Sequence, residues 1–70
     1  MPVDAETAIT RARSNFLYLA EAKDEAHLAK LKGGACGYNH SLLIAGLISA
    51  DQLDHLNAEL DEACRAITFS

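Results

Sequence analysis

Gly33-Gly34-Ala35-Cys36-Gly37-Tyr38-Asn39-His40 holds three of the chain's four glycines, one of two cysteines, one of three histidines and one of two tyrosines. One helical pattern runs up to it and another runs on from it, so whether it is a break or a piece of helix decides the fold. Lys30 and Lys32 precede the glycines, where cations suit the negative end of a helix dipole. Gly33 and Gly34 then offer the left-handed termination that helix C-ends favour. The stretch reads as the corner of a helical hairpin and as the place where reactive side chains gather.

Toward the N-terminus, Asp4 is a good helix cap, and Ala5, Ala8, Ile9, Ala12, Phe16, Leu19, Ala20, His27, Leu28 and Leu31 recur at helical spacing behind it. The charged stretch Glu21 to Glu25 interrupts this apolar seam for about one turn. The pattern predicts one long helix over 4–32, about 42 Å at 1.5 Å per residue, which needs a second arm to cover its apolar side.

Toward the C-terminus, Asn39 or Ser41 can cap a short helix over 39–47 carrying Leu42, Leu43, Ile44, Ala45 and Leu47, apolar on nearly every side. Ser49-Ala50-Asp51-Gln52 has the form of a capping box, and Gly46 weakens the helix just before it. A last helix over 50–67 follows, with Leu53, Leu56, Leu60, Ala63 and Ile67 at the alternating three- and four-residue spacing of a bundle seam. The junction Ala45-Gly46-Leu47-Ile48-Ser49-Ala50-Asp51-Gln52-Leu53 resembles the helix junctions of small helical-hairpin domains, which implies a helix end followed by a capping box and nothing more specific.

The bulk composition agrees with an all-α fold. Thirteen alanines and one proline favour helix. Leu, Ile, Val and Phe make up 17 of 70 residues, enough to escape the composition of a disordered chain. A chain this short buries only about 60% of its unfolded surface, so a partner subunit is expected to complete the core. The expected architecture is a single helical domain, a hairpin with its second arm broken, assembled as a homodimeric antiparallel bundle. Ile9, Phe16, Leu19, Leu28, Leu31, Leu43, Leu47, Leu53, Leu56, Leu60 and Ile67 are its expected core and dimer residues.

Several function classes are set aside. The net charge of −4, without a basic face, argues against nucleic acid as a partner. The longest apolar run, Leu42 to Ile48, is far short of a membrane span, and the first residues do not read as a secretory signal. A cytoplasmic protein is expected, with two free thiols.

Catalysis is not expected. Cys36 and His40 are four apart and could share a helix face, but no orienting carboxylate lies near them in sequence, and a few helices offer little pocket. Cys36, His40, His55 and Cys64 lack the tight ligand pairs of zinc modules, so neither a metal nor another cofactor is expected. What remains is a contact surface. Tyrosine and arginine most often anchor protein interfaces, which makes Tyr18, Tyr38, Arg11 and Arg13 the contact candidates, with Asn39 beside them. The function expected is that of a non-enzymatic interaction module, a small regulator or inhibitor of another protein. Size and class supply an analogy with phage and mobile-element products that bind host regulators. The alternative is a metal-binding or thiol-based sensor built on Cys36, His40 and Cys64.

Overall fold

The computed structural model describes residues 4–69. It contains three α-helices: α1 (Ala5–Leu17), α2 (Glu25–Ile44) and α3 (Ala50–Arg65), with a 3-10 turn Tyr18–Glu21 between the first two. Among the described residues there is no strand, and no helix is long and apolar enough to cross a membrane.

The first break falls earlier than the glycines suggested. No single helix spans 4–32, and no corner forms at Gly33 to His40. Instead α1 ends at Leu17, and α2 runs uninterrupted through the whole glycine stretch. The physical reason lies upstream. Leu19 is buried in the core, and its burial draws the chain into the tighter 3-10 turn. Ala22 is then extended, and Asp24 accepts a hydrogen bond from the His27 N–H at 2.7 Å, capping a new helix. The one-turn interruption of the apolar seam at Glu21 to Glu25 was therefore the boundary itself.

The glycine that ends α2 is Gly46. It has φ +75°, the left-handed conformation that only glycine adopts cheaply. Its N–H donates to the Leu43 carbonyl at 3.0 Å, and the Leu47 N–H donates to the Leu42 carbonyl at 2.9 Å, the paired bonds of a Schellman termination. No helix starts at Asn39 or Ser41; both lie inside α2. The second junction follows the sequence reading closely. Ser49 Oγ accepts from the Gln52 N–H at 3.2 Å, Gln52 Oε1 accepts from the Ser49 N–H at 2.8 Å, and α3 begins at Ala50. At the start of α1 the Thr7 N–H donates to Asp4 Oδ1 at 2.7 Å, which holds that carboxyl below its usual value.

Two apolar clusters make the core. Ala8, Ala12, Leu42, Ile48, Leu53 and Leu56 form the first, flanked by Ile9, Tyr38, Leu43 and Leu47. Leu19, Ala35 and Leu60 form the second, flanked by Leu28, Leu31, Cys36, Cys64 and Ile67. Phe16 packs against both. Early α1 thus meets late α2 and early α3, an up-down-up arrangement. Part of the apolar surface that a second copy could have covered is used inside the chain: Ala8 and Ala12 of α1, with Leu42 and Ile48, are buried against its own helices.

Pairs across α2 and α3 fix their antiparallel register. Lys32 Nζ lies 3.0 Å from Asp61 Oδ1, and Asn39 Nδ2 donates to Asn57 Oδ1 at 3.1 Å. The hydrogen bond to Asp61 raises the Lys32 pKa. Asn39 is fully buried, and its Oδ1 has no partner. A buried amide half satisfied in this way specifies register at a cost in stability. Asn57→Leu alone strands both ends of Asn39 and is expected to cost about 1–3 kcal/mol. The double variant Asn39→Leu/Asn57→Leu should be at least as stable as the natural pair, since apolar groups of similar size replace both partners. Urea denaturation of the three proteins measures this. A double variant less stable than the natural protein would mean the pair is a net asset.

Candidate functional site

Contact candidates distant in sequence meet beside the 3-10 turn. Tyr18 is the C-cap of α1 and opens the 3-10 turn, immediately before the buried Leu19; because Leu19 points inward, Tyr18 is thrown outward and is 59% exposed. Tyr38 lies twenty positions later on α2, half-buried, where it also packs against the first cluster. Both line one open groove of about 490 Å³, whose other walls are Asn15, His27, Lys30, Leu31, Gly34 and Ala35. The continuity of α2 through the glycines makes this groove. A helical turn holds Lys30, Leu31, Gly34, Ala35 and Tyr38 along one side, and Gly34 leaves the wall low there because it has no side chain.

His27 contributes a directed donor. Its Nδ1 accepts a hydrogen bond from the Lys23 N–H at 3.1 Å, so the neutral ring carries its proton on Nε2. Arg11 is exposed on α1, four and seven residues before Asn15 and Tyr18, and so belongs to the same side of the helix. Arg13 belongs to the other side. Its Nε lies 3.3 Å from Glu59 Oε2, and it lines a separate groove of about 450 Å³ with Ala5, Glu6, Ile9, Thr10 and Gln52. Asn39, named with the contact residues from sequence, is buried between α2 and α3 and presents nothing to the surface. Of the five contact candidates the structure brings Tyr18 and Tyr38 into one groove, leaves Arg11 exposed outside its lining, and places Arg13 and Asn39 elsewhere.

Cysteine and histidine are arranged differently from the contact residues. Cys36 and Cys64 are both free and half-buried, and both pack against the second cluster from facing helices. His40 is exposed and belongs to neither cluster. Among the described residues no three His, Cys, Asp or Glu side chains gather as metal ligands would.

Two features escaped the sequence reading. Ile44 is 86% exposed at the end of α2, although its run of apolar neighbours suggested burial. Asn57 gave no signal apart from being a polar residue four from Leu53 and three from Leu60, on the edge of the α3 seam.

Fold and groove together define a small all-α, three-helix domain with a tyrosine-walled surface groove. Compared with known proteins, the chain matches no family model, no curated protein and no solved structure.

Proposed function

We propose that the protein is a non-enzymatic interaction module, a small regulator or inhibitor that docks on another protein through the Tyr18–Tyr38 groove. The observation that carries this reading is the convergence of two tyrosines from different helices on one open, mostly apolar groove. Tyrosine brings a large contact area with a polar end, and the central residues of interfaces are enriched in it. Arg11, exposed on the side of α1 that carries Asn15 and Tyr18, is offered as a further contact. Regulators of this size among phage and mobile elements are the analogy, by class alone.

A homodimer remains part of the proposal, with its surface moved. The outer face of α2 carries the exposed Gly33, Gly37 and Ser41 beside Ile44, low relief that would let a second α2 approach closely. Light scattering decides it: a mass of 7.5 kDa at micromolar concentration would remove the dimer.

The groove is tested with paired baits. Wild-type protein and a Tyr18→Ala/Tyr38→Ala variant, both shown helical by circular dichroism, are used to capture partners from the native host. A partner held by wild type is expected to be lost from the variant by about tenfold or more, since interface tyrosines often contribute over 1 kcal/mol each. An unchanged set of captured proteins would remove the groove as the contact surface.

Thiol sensing is the second reading, favoured by one observation: Cys36 and Cys64 share a cluster on facing helices. His40 drops out of it, being outside that cluster. Thiol titration of the folded protein before and after mild peroxide treatment separates the two readings, because a contact module needs no change in its thiols.

A further inference from the structure

The charge of the groove's own lining differs from that of the chain as a whole, although Asp24 lies just outside it, its Oδ1 accepting from the His27 N–H. Ten acidic residues outnumber six basic ones, yet none of the groove's lining residues is a carboxylate. The basic residues are also unevenly engaged. Arg13, Lys32 and Arg65 are ion-paired with Glu59, Asp61 and Glu62, at 3.3, 3.0 and 3.1 Å. Arg11, Lys23 and Lys30 have no ion pair among the described residues. Lys30 lines the groove, Arg11 shares the side of α1 that carries Asn15 and Tyr18, and the Lys23 N–H orients His27 within the groove wall.

We infer that the groove takes an amphipathic helix of a partner protein, one whose apolar side chains are flanked by carboxylates. The inference rests on the contact-module reading and adds the partner's chemistry. Leu31, Ala35 and the rings of Tyr18 and Tyr38 receive the apolar side chains. Lys30 meets a carboxylate, and His27 Nε2 donates a hydrogen bond at the rim. Gly34 leaves space for the incoming ridge, since a Cβ built there would meet nothing within 4 Å. Charge complementarity of this kind sets orientation and excludes basic competitors more than it adds affinity.

A second copy of the chain is a poor occupant. Its most acidic helix, α3, exposes no large apolar side chain to enter the groove: the exposed ones among the described residues are Leu17, Tyr18, Ile44 and Phe69. Nucleic acid is poorer still, because three unpaired cations on a chain of net charge −4 give little phosphate attraction.

The test uses three synthetic helical peptides of about five turns and the isotopically labelled full chain, followed by NMR. One peptide has a leucine stripe flanked by glutamates, one has the same stripe flanked by lysines, and one is a scramble of the first. The glutamate peptide is expected to shift the amide signals of Lys30, Gly34 and Tyr38. The lysine peptide should bind at least about tenfold more weakly, and the scramble should leave those signals in place. Lys30→Glu, an exposed change that leaves the core untouched, should weaken the glutamate peptide by about tenfold and narrow or reverse the preference. Equal binding of the two striped peptides, or indifference to Lys30→Glu, overturns the inference. So does the absence of shifts with the glutamate peptide at about 1 mM, the weak limit of specific binding. If Tyr18→Ala/Tyr38→Ala abolishes binding while Lys30→Glu does not, the acidic preference falls and the contact surface stands. If neither change matters, both fall together.

Discussion

Replacing Gly33, Gly34 and Gly37 together by alanine is expected to stabilise the protein by about 1.5–3 kcal/mol, and to raise its melting temperature by on the order of 10 °C. Each glycine in a helix interior costs about 0.5–1 kcal/mol against alanine, because its backbone loses more freedom on folding. All three lie inside α2, none has a positive φ, and an added Cβ at each meets nothing within 4 Å. No steric term offsets the gain. The single change Gly46→Ala is the counterpart: there φ is +75°, and a side chain in the left-handed region costs about 1–2 kcal/mol. Thermal unfolding of the two variants should therefore move in opposite directions. A fall in melting temperature for the triple variant would put the chain reversal back at the glycines and remove the continuous α2.

Leu60→Ala is expected to cost about 2–5 kcal/mol, the range for truncating a buried leucine and leaving a cavity. Leu60 is 1% exposed and packs in the second cluster with Leu19 and Ala35. A domain of this length holds only about 4–10 kcal/mol in total, at 0.05–0.15 kcal/mol per residue. The variant should unfold at much lower urea and be partly unfolded in buffer at physiological temperature. Leu17→Ala provides the control. Leu17 is 77% exposed, and its removal should stay within about 0.5 kcal/mol. Similar losses for the two leucines would show that Leu60 does not hold the core.

How far the sequence could be read depended on whether a signal was local or shared. The junction at Ser49 was plain, since a capping box is a backbone device complete within four residues. The seam of α3 was plain too, because Leu53, Leu56 and Leu60 keep strict helical spacing. The glycines misled. Three in five positions suit a helix end, but they end a helix only where the backbone turns left-handed, and that is decided by what is buried on either side. Leu19 and Asp24 settled the matter in a stretch where charge hid the boundary. The groove was half visible: both tyrosines stood out as interface types, but their meeting depends on the 3-10 turn and on an unbroken α2. Asn39 looked like a loop residue for as long as its neighbours looked like a loop; within α2 its position faces α3, and burial follows.

Between Leu17 and Glu25 one residue, Leu19, is fully buried, and the turn it belongs to carries a wall of the groove. A segment pegged by a single side chain opens at a lower free energy than helices anchored along their length. Backbone amides of 18–24 should thus exchange with solvent well before those of α3. The groove then has a wall whose width can adjust to what enters, and a guest that fills it would tighten the peg as it binds.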